Sequence, residues 1–180
     1  MSGAVTDAER KALHGRAWTF GDNIDTDRIL PGAWLHLTEP GDIAAHCLEG
    51  VDPTFAGSAA SGDFIVAGAN FGCGSSREPA TFSIKALGIG TVVAKSFARI
   101  FLRNAITIGL PVIISPTAPD EISRGDELEI DLSAGTIKNL TTGVTHKGQE
   151  FPEFMQQIVA EGGIIPYAKR RLLERNSAQS

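Results

Sequence analysis

The stretch 63–115, DFIVAGANFGCGSSREPATFSIKALGIGTVVAKSFARIFLRNAITIGLPVIIS, decides the fold, because short apolar runs alternate in it with helical patterns. Apolar runs bounded by glycine, proline or polar residues predict buried strands, and apolar residues spaced by three and four predict helices. In chain order, a strand, helix, strand, helix and strand are expected at 64–67, 77–87, 91–94, 97–108 and 111–115. This order predicts an α/β fold with a mainly parallel sheet and right-handed crossovers.

The segments on either side of this stretch carry weaker patterns. Before it, a short strand is expected at 16–20, and the proline-broken segment 50–62 predicts a functional or mobile loop. After it, alternating apolar residues predict a hairpin in a second, antiparallel layer, and two helices are expected to follow. These elements are placed at 128–132, 136–140, 151–160 and 167–175.

Length and composition suit one domain and exclude several classes of function. The 180 residues predict a single domain at 16–175, between an N-terminal arm at 1–15 and a C-terminal tail at 176–180. A net charge of −5 and 7% aromatic residues argue against a nucleic-acid partner. Charged residues interrupt the longest apolar stretch, so no membrane span is expected. Two cysteines and an N-terminus without an apolar core favour a reducing, cytoplasmic location.

The segment FGCGSSRE (71–78) lies between an expected strand and the start of an expected helix. The free backbone amides of a helix N-terminus favour an anion, and Arg77 can hold a carboxylate through two parallel hydrogen bonds. Ser75 also has the spacing of a capping box with the glutamate three residues later, which is a structural role. Pro79 lacks an N–H and therefore favours Ser76 as the N-cap, leaving Ser75 to face a cleft. An anion site and a helix cap both remain open.

Two clusters of charge keep both a functional and a structural interpretation. Three carboxylates lie close together, at Asp22, Asp25 and Asp27. They can bind a cation or orient a histidine, but aspartates also hydrogen-bond their own backbone in turns. A basic series at spacings of four, made of Lys95, Arg99 and Arg103, fits either a solvated helix face or a cationic wall for a ligand.

Three separated segments together resemble one known family. They are GDNIDTDRILP (21–31), GANFGCGSSRE (68–78) and AKSFARIFLRNAITIGLPV (94–112). In this order they resemble the small subunits of the aconitase superfamily, in the branch of 3-isopropylmalate dehydratase and homoaconitase. The resemblance implies a swivelling β/β/α domain of three layers and a hydro-lyase acting on a hydroxy di- or tricarboxylate. It places a [4Fe-4S] cluster on a separate large subunit, bound through three cysteines that this chain lacks, so no metal is expected on this chain.

The resemblance also implies roles for individual residues. Ser75 matches the catalytic base, and Ser76 and Arg77 match positions that bind a substrate carboxylate. Amides at the helix N-terminus and the Arg77 guanidinium would stabilise the negative charge on a serine alkoxide. Asp25 matches a residue that faces the active site, and Asp27 is expected to support the site beside it.

Substrate choice is expected to depend on the segment WLHL (34–37), next to the loop 50–62 that could close over it. In related small subunits this segment reads Tyr-Leu-x-x, and its variable residues sort substrates by alkyl group or distal carboxylate. Here, His36 is a candidate substrate-binding residue. Trp34, Leu35 and Leu37 offer apolar area to an alkyl group, whereas a protonated His36 could pair with a carboxylate.

The expected reaction is therefore the interconversion of 2-isopropylmalate and 3-isopropylmalate in leucine biosynthesis, catalysed only together with the large subunit. A homoaconitase-type or other alkylmalate or tricarboxylate hydratase is the alternative. A non-catalytic anion-binding module would be a different class of function. A dinucleotide-binding domain would need a third glycine after Gly72 and Gly74, which the sequence lacks.

Overall fold

A computed structural model describes residues 12–177 of the chain. Its strands are β1 (Leu13–Phe20), β2 (Phe64–Ala67), β3 (Thr91–Ala94), β4 (Val112–Ile114), β5 (Glu127–Asp131), β6 (Thr136–Asn139) and β7 (Thr145–Lys147). Its α-helices are α1 (Thr26–Ile29), α2 (Pro40–Ala44), α3 (Phe55–Ser58), α4 (Glu78–Ala86), α5 (Arg99–Ile108), α6 (Ala118–Glu121), α7 (Glu153–Ala160) and α8 (Ile164–Ser177). A 3₁₀ turn spans Gly32–Trp34.

The strands form one sheet in the order β4-β3-β2-β1-β5-β6-β7. Strand β1 joins two halves of the sheet, because its second half pairs in parallel with β2 and its first half pairs antiparallel with β5. Residue Ala17 lies opposite Phe64, and Leu13 lies opposite Ile130. The expected antiparallel layer is thus present, and it is continuous with the parallel sheet through β1.

Two apolar clusters on opposite faces of the parallel strands account for the three layers. Alternate residues of β2, including Ile65 and Ala67, pack with the helices in one cluster. The intervening residues Phe64 and Val66 pack with β5 and β6 in the other, so the antiparallel half curls back over the sheet. The alternation follows from the side-chain period of two in a strand. The α/β fold with an antiparallel second layer is confirmed.

The elements of the central stretch agree with the sequence prediction to within two residues. The strand expected at 16–20 begins earlier, at Leu13, because its first half is paired with β5. The expected arm is therefore wrong for residues 13–15, and its residues 1–11 lie outside the described part. Nor do the three cations form one helix stripe, because Lys95 precedes α5 and pairs with Asp120 at 2.6 Å.

The segment 50–62 is not a simple loop, since it contains α3. The Phe55 ring at the start of this helix is fully buried. It meets the rings of Trp18 and Phe20 edge to face, at centroid distances of 5.2 and 5.5 Å. Because Phe55 is packed into the core, it argues against the expectation that the segment 50–62 closes over the segment 34–37. Among residues 12–177, no helix is long and apolar enough to cross a membrane.

Candidate functional site

The candidate site lies where the turn after β1 meets the loop after β2. The Gly72 amide donates to the carbonyl of Ile24 at 2.7 Å, and the Thr26 amide donates to the carbonyl of Cys73 at 2.9 Å. Parallel strands β1 and β2 end at the same edge of the sheet, so their following segments are brought together. Ligand sites of α/β folds commonly lie at this edge.

Ser75 is exposed at this site, and its hydroxyl oxygen lies 3.1 Å from that of Thr26. Thr26 itself is buried, with 3% of its surface exposed. A buried threonine held at its backbone therefore orients an exposed serine hydroxyl. Thr26 was not predicted from the sequence, although its position between Asp25 and Asp27 was the available signal.

Neither serine of the loop caps α4, contrary to the expectation for Ser76. The N-cap is Arg77, without a side-chain hydrogen bond to the helix, and Pro79 is the second helical residue. The capping box between Ser75 and the glutamate after Arg77 is therefore not formed. Within residues 12–177, the backbone amides of Ser75, Ser76 and Arg77 donate to no other group. Two hydroxyls and three amides are thus available to an anion.

Arg77 forms an ion pair with Asp27, through Nη1 and Oδ1. Only 30% of the arginine side chain is exposed, compared with 64% of the aspartate. The pair holds the guanidinium at Asp27, the residue after Thr26, and leaves its other nitrogens to bind a carboxylate. The supporting role of Asp27 in the site stays a prediction.

The other two aspartates of the cluster are used by the local backbone. Asp25 accepts from the amide of Arg28 at 2.8 Å and caps α1, and Asp22 accepts from the amide of Ala69 at 2.6 Å. In the described residues, no group of three His, Cys, Asp or Glu side chains is arranged to hold a metal ion. The turn interpretation of Asp22 and Asp25 is thus the one that their contacts support.

The 3₁₀ turn brings the segment 32–37 next to Arg77. A Cβ atom added to Gly32 would lie 3.7 Å from Nη1 of Arg77. Within the segment, Leu35 and His36 are exposed, and the ring Nδ1 of His36 donates to the carbonyl of Ala33 at 2.9 Å. Trp34 and Leu37 instead pack against the core, so they offer less apolar area than expected.

The two cysteines do not provide a cluster site. Cys47 is fully buried, and burial raises the pKa of its thiol to about 12 against the opposing hydrogen bond with Ser83. This buried thiol is therefore unreactive at neutral pH. Cys73 is half-buried and lies in the loop before Ser75. An iron–sulfur cluster needs more thiolates than this chain contains.

Comparisons with known proteins bear on the same residues. Residues 22–116 match the aconitase C-terminal domain family. The chain is 54% identical over 160 residues to the 3-isopropylmalate dehydratase small subunit of Moorella thermoacetica, covering 89% of this chain and 96% of that one. It is 50% identical to the isopropylmalate/citramalate isomerase small subunit of Methanocaldococcus jannaschii, covering 92% and 98%. A crystal structure of 3-isopropylmalate dehydratase from the same archaeon superimposes with a TM-score of 0.89 and 47% identity, covering 93% and 99%.

Proposed function

The chain belongs to the aconitase C-terminal domain family, and on this premise we propose that it is the small subunit of a 3-isopropylmalate dehydratase. Its relatives bear that name or the name isopropylmalate/citramalate isomerase small subunit, and the similarity extends over nearly their whole length. The reaction is the removal and re-addition of water that interconverts 2-isopropylmalate and 3-isopropylmalate, a step of leucine biosynthesis. The observation that carries the proposal is the exposed Ser75 hydroxyl, which lies 3.1 Å from the hydroxyl of Thr26, while the next residue, Asp27, pairs with Arg77.

Ser75 is the proton acceptor in this proposal. Dehydration removes a proton from a carbon atom, and Oγ of Ser75 takes it up and returns it during hydration. A serine is a weak base in water, so its negative charge needs stabilisation where it forms. The free amides of Ser75 and Ser76 and the Arg77 guanidinium supply positive potential at that place.

Arg77 and Ser76 hold the substrate in this proposal. Arg77 is fixed by Asp27 and binds a carboxylate with its remaining nitrogens, while the Ser76 hydroxyl donates to the same group. The carboxylate next to the reacting carbon is present in every candidate substrate. This part of the site therefore positions the shared core of the substrate and does not choose among candidates.

The second half of the site belongs to a large subunit. The small-subunit names of the relatives imply such a partner, and the [4Fe-4S] cluster of the family is assigned to it. The residues described for this chain do not fit the cluster, since it has two cysteines and one of them, Cys47, is fully buried. We therefore assign the chemistry at the leaving hydroxyl to the partner and assign only proton transfer and carboxylate binding to this chain.

An alkyl-substituted malate fits the segment 32–37 better than a tricarboxylate does. Leu35 is 36% exposed beside the site and offers apolar area at about 0.8 kcal/mol per buried methylene. His36 is the one basic side chain in this segment, and no arginine supplies a permanent charge there. A homoaconitase-type substrate would need His36 protonated against its distal carboxylate.

The test is a substrate panel on the complex formed with a large subunit that has been reconstituted with iron and sulfide. We expect the largest kcat/KM for 3-isopropylmalate, with a smaller alkylmalate such as citramalate next, and homocitrate and citrate well below. If a tricarboxylate has the largest kcat/KM, and if this advantage disappears in His36→Val, the assignment of 3-isopropylmalate as the substrate is wrong. A complex that turns over none of these acids would refute the proposed function.

A further inference from the structure

We propose that His46 is a positioning residue for substrate choice, because its imidazole stacks on the indole of Trp34. Through Trp34 it sets the place of the exposed pair Leu35 and His36 beside the site. This inference rests on the proposed function, in which the segment 32–37 contacts the variable part of the substrate. His46 itself lies behind Trp34 and acts only through that side chain.

The contact between the two rings is close and nearly parallel. The centroids of Trp34 and His46 are 3.7 Å apart, and their planes are inclined by 12°. The second histidine of the region, His36, is farther from the indole, at 6.5 Å and 37°. One face of the Trp34 indole is therefore covered by His46.

His46 is itself held firmly. Its Nδ1 donates to Oε2 of Glu49 at 2.6 Å, and only 25% of its side chain is exposed. The next residues along the chain are buried, and the Leu48 amide donates to the carbonyl of Ile29 at 2.7 Å. The backbone that carries His46 is thus hydrogen-bonded to the end of α1, the helix that begins with Thr26 at the candidate site.

Within residues 12–177, the hydrogen bonds of the segment that carries Leu35 and His36 are all local. The amides of Trp34, Leu35 and Leu37 donate to the carbonyls of Pro31, Gly32 and Trp34 at 2.9, 3.3 and 3.1 Å, the His36 ring donates to the carbonyl of Ala33, and no side chain caps the 3₁₀ turn. Its position therefore depends on the packing of Trp34 and Leu37. Removing the ring under Trp34 lets the turn shift, and a shift changes the contacts of Leu35 and His36 with an alkyl group before it changes the chemistry at Ser75.

The kinetic test compares His46→Ala with the wild type in the reconstituted complex, using 3-isopropylmalate and citramalate. We expect the ratio of the two kcat/KM values to fall about three- to tenfold, the range expected for the loss of one aromatic stack. The change should lie in KM for 3-isopropylmalate, with kcat nearly unchanged. His46→Phe keeps a ring and should restore most of the ratio, while Glu49→Gln should give an intermediate value.

The matched control is His14→Ala. His14 also faces a glutamate, with its Nε2 3.6 Å from Oε2 of Glu129, but it lies in the half of β1 away from the site. This variant should leave the ratio unchanged.

A measurement of tryptophan fluorescence shows whether His46 acts through Trp34. The emission of Trp34 is obtained as the difference between each protein and its Trp34→Phe counterpart. Because His46 covers one face of the indole, His46→Ala should make this emission more accessible to quenching by acrylamide, and His46→Phe should not.

The outcomes separate the two proposals. A wild-type complex inactive on every acid of the panel refutes the proposed function. An active complex whose ratio is unchanged in His46→Ala overturns the role of His46. A changed ratio without a change in acrylamide accessibility overturns it as well, because His46 would then act other than through Trp34.

Discussion

Ser75 lies two residues before the N-cap of α4, so the helix does not use its hydroxyl. The spacing of the sequence allowed a capping box, and only the helix boundary at Glu78 decides against it. Helix boundaries depend on tertiary contacts that the local sequence does not contain. The hydroxyl is instead oriented by Thr26, which lies 49 positions away along the chain. Contacts of that range are beyond what motif spacing can predict.

A prediction at this scale concerns the buried Thr26 hydroxyl. Thr26→Val removes the 3.1 Å contact with Ser75 and keeps the shape of the side chain. We expect kcat of the complex to fall about tenfold, the equivalent of one hydrogen bond, with a loss of stability below about 1 kcal/mol. Steady-state kinetics and thermal melting check this, with Thr26→Ser as the matched variant that keeps the hydroxyl. An unchanged kcat in Thr26→Val would show that Ser75 does not need this partner.

At the scale of elements, the sequence predicted the strands and helices of 63–115 well because their signals are local. Apolar runs bounded by glycine and proline specify β2, β3 and β4, and Gly109 ends α5 in a left-handed conformation, with φ of 74°. The four-residue helices α1 and α3 before β2 were missed. Helix α3 has four residues and is held by the burial of Phe55, which only the assembled core provides.

A second prediction concerns the end of α5, which packs closely against the junction of α7 and α8. A Cβ atom at Gly109 would lie 2.3 Å from the backbone carbon of Gly162. Gly125 is the control, since it also has positive φ, at 91°, but has nothing within 4 Å. Gly109→Ala should cost about 2–4 kcal/mol from strain and overlap together, and Gly125→Ala about 1 kcal/mol from strain alone. Equal losses in chemical denaturation would contradict this packing.

A third prediction concerns Asp63, at the start of β2, and the pH dependence of stability. Burial opposes the ionisation of Asp63, but hydrogen bonds from the Trp18 indole and from two backbone amides outweigh it and lower its pKa. Because the pKa is lower in the folded state, the stabilisation is complete above the unfolded value of about 3.9 and is lost as the pH falls through the folded value. Acid should therefore destabilise the fold from about pH 4 downward.

Replacement of Asp63 tests this dependence directly. Asp63→Asn should cost about 1–3 kcal/mol at neutral pH and flatten the fall of stability below about pH 4. Asp120→Asn is the control, because that carboxylate is 61% exposed in its pair with Lys95 and should contribute less than about 1 kcal/mol. Denaturant titrations at several pH values measure both. A profile of Asp63→Asn that parallels the wild type would assign the acid sensitivity to other groups.

At the scale of the whole molecule, the candidate site lies on the parallel half of the sheet and is open on the side of Ser75 and Ser76. The sequence placed both motifs in one site only through the family resemblance, and the parallel pairing of β1 with β2 that brings the following segments to one edge was not predicted. The stack of Trp34 on His46 and the pair of Arg77 with Asp27 were not predicted, because each joins segments that have no common local pattern. An exposed serine hydroxyl next to backbone amides that have no acceptor within residues 12–177 fits the proposal that this chain supplies half of an active site.

The rate of the complete complex with Ser75→Ala tests the central proposal most directly. With the reconstituted large subunit and saturating 3-isopropylmalate, we predict that the rate falls by at least roughly 10²–10³ relative to the wild type. The melting temperature of the variant should stay close to that of the wild type, because Ser75 does not cap α4. Wild-type turnover in the Ser75→Ala complex would contradict the assignment of Ser75 as the proton acceptor, as would turnover by the isolated chain.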